Sequence, residues 1–483
     1  MSPTLRASKT TICDDRRRAK GRDLITVKAA AELLQSWLKA IPAVILAFAP
    51  LATAPADARS DPPTAAEAVS FGELAHWRDS LVGPRLHGVD RTEAPSRPSV
   101  TVATIEELLS AVQAAVPGTV IEVAPGRYDF TGGKIEIDSP GLPHNRIVLR
   151  APALGSVRLR FALLEGFHVL APYWTFENLL VEGVCTDDSD CEHAFHVVGD
   201  AVGVVIQNNW IVDFNAAVKV NGKGGRYPDS GLIRHNAFIN SRPRVTDRPV
   251  TMLDLVSVSR WRIQRNVIAD FAKAGGNHTS YGAFFKGAGE DNVFEQNLVR
   301  CEARHSGLYR IGFSFGDGGT GRRFCRDGSC VAEHRRGIAR NNVIMNCPRR
   351  AGIYLNKSAQ TLLHNNALID TGGIVLAGDT THAVIVNNIV DGGLWAREGG
   401  KYFAAKNLVT LPGAVPANNY GGRIYTDAAE GDLRLRERDA IIARGVPVGG
   451  EWPDLCGHTY DGDAPDIGPI QYGAGTACVP RLW

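Results

Sequence analysis

An all-β solenoid, a chain coiled into stacked parallel strands, is the fold class that three features of this 483-residue sequence predict. The first is a returning phrase: apolar residue, two variable residues, asparagine, apolar residue. It reads Val205-Ile206-Gln207-Asn208-Asn209-Trp210-Ile211, then Leu232 to Phe238 around Asn236, Arg262 to Ile268 around Asn266, and Val293 to Val299 around Asn297. Four more copies centre on Asn342, Asn366, Asn388 and Asn407. The second is spacing: by subtraction, successive asparagines lie 27, 30, 31, 45, 24, 22 and 19 residues apart, and a period of about 20 to 50 residues marks a solenoid. The third is the alternation of the flanks, which sends every other side chain into a central stack that no single turn can bury alone. Asparagine suits the bend because it tolerates left-handed backbone angles and because its amide can bond the same amide one turn above and below. Loops leave such a coil at its corners, so the 45-residue interval from Asn297 to Asn342 reads as one turn plus a long excursion.

In chain order, residues 1–58 read as a leader and signal peptide: Lys39 precedes the apolar run Ile41 to Ala52, and Ala56-Asp57-Ala58 is a small-residue cleavage pattern. The run is too short and too broken by proline for a membrane span, which takes about 20 apolar residues. Residues 59–99, with many prolines and charges, read as a linker or wrapping segment. The coil occupies 100–410 and opens with a cap. Thr104 and Glu107 form a capping box ahead of a helix running from Ile105 to Val116, and Pro117-Gly118 ends it. Val120 to Ala124 alternates as a strand, Pro125-Gly126 turns, and Arg127-Tyr128-Asp129 starts the next edge. Such a helix covers the apolar surface that the first turn of a solenoid exposes. Further strands are expected at Arg146 to Ala151, Val157 to Phe161, His168 to Leu170 and Trp174 to Val181. Residues 411–483, with proline and glycine turns and the run Leu433-Arg434-Leu435, form a tail packed on the coil.

A net charge of +2 carries neither a nucleic-acid footprint nor an acidic tail. Of nine cysteines, Cys13 lies in the leader, and an even eight fits an oxidising compartment. Cys185 with Cys191 and Cys325 with Cys330 bracket short loops, Cys456 with Cys478 can tie the tail, and Cys301 and Cys347 follow repeat asparagines closely enough to meet between neighbouring turns. A secreted or periplasmic monomer is expected.

The cap from Thr104 to Tyr128 and the asparagine phrases, together covering about residues 100 to 410, resemble the right-handed parallel β-helix superfamily, the pectate-lyase-like proteins. Within it the sequence is most similar to family six of the polysaccharide lyases, the alginate lyase and chondroitinase B group. The resemblance implies β-elimination on an acidic, uronate polysaccharide. Its alternative is a non-catalytic glycan-binding or cell-envelope β-helix; a C5-epimerase or a glycoside hydrolase ranks lower, because one such coil hosts many chemistries.

Polar residues on the strand after each asparagine should line a loop-walled face: His196, Lys219, Asp254, Lys286, Arg310, Lys357 and Arg397. β-Elimination needs the carboxylate neutralised, a base for the proton beside it and a donor for the leaving oxygen; lysine and arginine neutralise, and a lysine crowded by cations can act as base. The resemblance implies a lysine and an arginine from neighbouring turns, matched here by Lys286 with Arg310 or Arg304. We expect Lys286 and Arg310 to be catalytic and Lys219, Asp254, Arg304, Lys357 and Arg397 to bind substrate. Lys357, ahead of the Asn366 phrase, matches the family wording more closely, but the next turn, Ile374 to Asp379, lacks the family arginine. No cofactor is expected: the family holds a calcium, but upstream of Lys286 this chain has Thr279, Ser280 and Tyr281 instead of its acids. His196 reads as a turn histidine, His278 and His305 as loop residues within reach of Lys286, and Asp187, Asp188 and Asp190 as a hydrated loop with a weak claim on calcium. Phe313 to Gly321 lacks the lysine and helix of a phosphate loop and reads as a loop edge pinned by Cys325 and Cys330.

Overall fold

The computed structural model describes residues 82–85, 98–317, 319–410, 423–450, 452–459 and 464–472; all belong to the unit Ala65–Trp483. The expected leader and most of the linker lie outside the described residues. The chain winds into a parallel β-helix of three long sheets with twelve, ten and eleven strands, each turn giving one strand to each sheet. Every asparagine phrase is the corner joining the twelve-stranded sheet to the eleven-stranded one: Val205–Gln207 enters the corner and Trp210–Val212 leaves it.

The ladder forms as expected. Asn209, Asn236, Asn266, Asn297, Asn342, Asn366 and Asn388 are fully buried. The Oδ1 of Asn266 accepts the Asn236 backbone N–H at 2.9 Å and the Asn236 amide at 3.0 Å, and the same pair of bonds repeats to Asn407. The backbone role assigned to these asparagines belongs to their predecessors. Asn208, His235, Arg265, Gln296, Asn341, Asn365, Asn387 and Lys406 hold φ between 53 and 58°. The ladder residue keeps ordinary angles because its side chain must point into the stack.

Inside, in-register rows of apolar side chains replace a globular core. Ile206, Ile233, Ile263, Phe294, Ala339, Leu363 and Ile385 are Cα partners on successive strands, all fully buried; each large member contributes about 1.5–3 kcal/mol. The cap helix Ile105–Gln113 closes the first turn, with Thr104 and Glu107 capping reciprocally and Leu108 and Val112 joining the interior. Three expected disulfides are present: Cys185–Cys191, Cys301–Cys347 and Cys325–Cys330. Cys456 is also disulfide-bonded; Cys478 lies outside the described residues.

The eleven-stranded sheet is apolar on its outer face too. Trp210, Val267, Leu298, Val343 and Ile389 pack there against Ile424, Leu433, Ile441, Leu455 and Ile467 of the tail, and against Val82. The tail also satisfies left-handed corner residues: Asn365 donates to the Asp466 and Gly468 carbonyls, and Asn387 to that of Val446. With that flank covered, the outer face of the ten-stranded sheet is where chemistry can sit.

Candidate functional site

A strict two-residue alternation fails at one place in the ten-stranded sheet, and the site depends on it. Ala194 and Phe195, Ala217 and Val218, Met252 and Leu253 are consecutive pairs that all enter the interior. The residues flanking each pair therefore both face outward: His193 with His196, Ala216 with Lys219, Thr251 with Asp254. Parallel register stacks the second of these into a row, Glu136, His168, His196, Lys219, Asp254 and Phe284, spaced about 4.8 Å per strand.

Over this row lies a cleft of about 520 Å³. Its floor is Lys219, Asn221, Asp254 and Lys286; Lys223 and Tyr227 form one wall, and Thr320, Arg323 and Phe324 the other. The second wall is the excursion foreseen between Asn297 and Asn342. It is braced by the Glu333 carboxylate, which accepts from the Asp317 and Thr320 backbone N–H groups and the Thr320 hydroxyl. Arg326 ties it to Asp229 at 2.8 Å, and Ser257 donates to the Phe324 carbonyl.

Lys219 makes a close ion pair with Asp254, and Lys286 lies 3.2 Å from Asp317 and 4.2 Å from the centre of the Phe284 ring. Burial pushes the Asp254 carboxyl up, but Lys219 and Lys286 outweigh it and hold the group below its ordinary range. One oxygen of Asp254 bonds Lys219; Oδ1, also buried, has no partner among the described residues. One strand along, His196 bonds Glu165 at 2.7 Å through Nδ1 and Asn221 at 2.8 Å through Nε2. The His196 hydrogen bond holds the Glu165 carboxyl down at about 2, and burial pushes the His193 imidazole down to about 4.

Lys219, Asp254 and Lys286 thus converge, whereas the expected pair of Lys286 and Arg310 does not form. Arg310 is the register partner of Ser280, six residues before Lys286 on its strand, or roughly 20 Å away along the chain. It is 2 % exposed and donates inward to the Cys301 carbonyl, because Gly312 and Phe313 repeat the two-inward bend and turn Arg310 to the interior. Arg304 pairs with Asp270 at 3.1 Å beside the Asn240 carbonyl. Lys357 sits at a left-handed corner with φ 53°. Arg397 bonds the Tyr354 hydroxyl at 3.1 Å, which raises its pKa. None of these three lines the cleft. His305 bonds the Ser241 carbonyl instead of nearing Lys286, and His278 also stays outside the cleft. His196 is a strand residue of His193–Val198, not a turn histidine. Asp188 is no calcium ligand in waiting, since Arg242 and Arg244 take its carboxylate at 2.7 and 3.0 Å.

Sequence reading missed His193 and Glu165 because period two places His193 opposite His196. It missed Lys223, Arg323 and Asp317 because loop residues carry no period. The consecutive apolar pairs Ala194-Phe195 and Met252-Leu253 were the available signal.

No family model matches the chain, and no curated protein does. Solved structures do. A pectate lyase, Pel9A, is 14% identical with a TM-score of 0.50, covering 75% of this chain and 90% of its own. A family six polysaccharide lyase, Pedsa3628 from Pseudopedobacter saltans, is 14% identical over 70% of this chain and 97% of its own, TM-score 0.36. A rhamnogalacturonan lyase is 12% identical over 76% and 92%, TM-score 0.46. At these identities the shared property is the parallel β-helix.

Proposed function

We propose that the chain is a secreted or periplasmic polysaccharide lyase that cleaves an acidic, uronate polysaccharide by β-elimination, its substrate lying across the outer face of the ten-stranded sheet. The observation that carries this reading is the convergence of Lys219, Lys286 and Asp254 on the floor of a cleft whose walls add Lys223 and Arg323. Four cations against the carboxylates of Asp254 and Asp317 leave the cleft net positive, complementary to a polyuronide. Arg323 and Lys223 are assigned to the uronate carboxylate, whose neutralisation acidifies the neighbouring proton. Lys286 takes that proton; the electron pair forms the ring double bond, the glycosidic C–O bond breaks, and the leaving oxygen is protonated by water or by the Tyr227 hydroxyl. The unpartnered Oδ1 of Asp254 accepts a sugar hydroxyl, while Lys219 fixes the carboxylate. Disulfides accord with an oxidising compartment, and no described helix is long and apolar enough to cross a membrane.

The two ion pairs, Lys219 with Asp254 and Lys286 with Asp317, favour a second reading, because each ammonium already faces a carboxylate of the protein: a glycan-binding β-helix without catalysis. Incubation of the mature protein with alginate, pectate and glycosaminoglycans, following ultraviolet absorbance of the unsaturated uronate, separates them. Rising absorbance establishes the lyase. Binding without a rise establishes the second reading, and a changed uronate configuration without a rise establishes an epimerase.

A further inference from the structure

We propose that Glu165, His193 and His196 form a binding site for a divalent transition-metal ion of the zinc class, beside the cleft on the ten-stranded sheet. One ligand atom from each residue lies within 4.8 Å of the others. Two histidines and a carboxylate are a zinc-type donor set, with distances of about 2.0–2.2 Å that small side-chain adjustments reach.

The backbone builds the set. Glu165 and His193 are register partners on adjacent parallel strands, and the inward pair Ala194-Phe195 brings His193 and His196 to the same face, with ring centres 5.1 Å apart. The surroundings orient the ligands as outer partners of a metal site do. His193 Nδ1 lies 3.1 Å from the Ala216 carbonyl. Bonded there it is the donor, so Nε2 carries a free lone pair. His193 is nine-tenths buried, and Nε2 has no hydrogen-bond partner among the described residues. Asn221 donates its amide to the Gly222 carbonyl at 3.1 Å, which fixes its Oδ1 toward His196 Nε2. His196 Nε2 is then the donor to Asn221, and Nδ1 is the atom that faces Glu165. A metal ion would sit between His196 Nδ1 and Glu165 Oε1, which lie 2.7 Å apart. Lys134 holds the other Glu165 oxygen at 3.1 Å. The edge of the site is open, with Glu165 and His196 side chains 17% and 18% exposed. Among the described residues the other compact group of this kind, Asp454, Cys456 and His458, has its sulfur in a disulfide and carries no such site.

The probe is zinc chloride alone, titrated by calorimetry into the chelator-treated full-length protein. One zinc per chain is expected at micromolar protein, and zinc-edge X-ray absorption on the wild type should show two imidazole nitrogens and a carboxylate oxygen. His193→Asn and Glu165→Gln should weaken binding by more than about 100-fold, beyond the 10–100-fold of an outer-partner change such as Asn221→Ala. His168→Ala should leave it unchanged. Absence of a stoichiometric site, a first shell of water oxygens alone, or binding indifferent to His193→Asn in a variant with native circular dichroism overturns the proposal. The wild-type spectrum decides even if a variant fails to fold, and because the readout is binding, the result is independent of lyase activity.

Discussion

Replacing Asn266 by alanine removes the middle of the asparagine ladder, and the structure sets the size of the effect. Asn266 is fully buried; its amide donates to the Ile233 and Gln264 carbonyls and to Asn297 Oδ1 at 2.9, 3.0 and 3.0 Å. Its Oδ1 accepts from the Asn236 backbone and amide. In the variant the Asn236 backbone N–H is buried without an acceptor, costing about 1–3 kcal/mol, and the two amide hydrogens of Asn266 lose net bonds of about 0.5–1.5 kcal/mol each. The sum is about 4 kcal/mol. Asn407, half-buried at the last corner, makes the same bonds where water can replace them, so Asn407→Ala should cost about 1 kcal/mol. Asn266→Asp keeps the shape but has no amide donors and buries a charge, so it should be at least as damaging as alanine. Urea unfolding followed by tryptophan fluorescence measures all three. A loss at Asn266→Ala below about 1 kcal/mol, or no larger than at Asn407→Ala, would refute the ladder as a structural device.

If Lys286 is the base, Lys286→Ala abolishes formation of unsaturated uronate and Lys286→Arg does not restore it, since guanidinium cannot give up its proton; activity in the arginine variant would make Lys286 a neutraliser instead. Arg310 is buried with Nε and Nη2 unpartnered among the described residues, so Arg310→Met is expected to leave activity intact and stability unchanged or higher by up to about 4 kcal/mol; loss of turnover with retained fold would return Arg310 to the site. Burial pushes His235, His334 and His364 down to about 3, below the unfolded value of about 6.5, so the unfolded chain binds more protons between these limits. The stability they confer is complete above about pH 6.5 and is lost as pH falls toward 3; a urea midpoint that stays flat from neutral pH into this window contradicts their burial as neutral rings.

The coil itself was legible in the chain because its signal is local and repeated. Each phrase such as Leu232 to Phe238 carries its own alternation and ladder residue, and the cap announces itself in Thr104 and Glu107. Sequence proximity also indicated the pairs Cys185–Cys191, Cys325–Cys330 and Cys301–Cys347. Strand position placed Lys219, Asp254 and Lys286 on one outer face, since register across a parallel sheet follows from the repeat.

What the tertiary structure alone decided is which direction a side chain takes where alternation breaks, and what covers it. The two-inward bends turn Arg310 into the body and His193 out of it, which no count of residues reveals. The tail claims the outside of the eleven-stranded sheet, and the Arg323 wall closes over the ten-stranded one, through contacts between segments far apart in the chain. Hydrophobic burial fixes those contacts by area and shape rather than by spacing, so the site takes form only once the coil is wound.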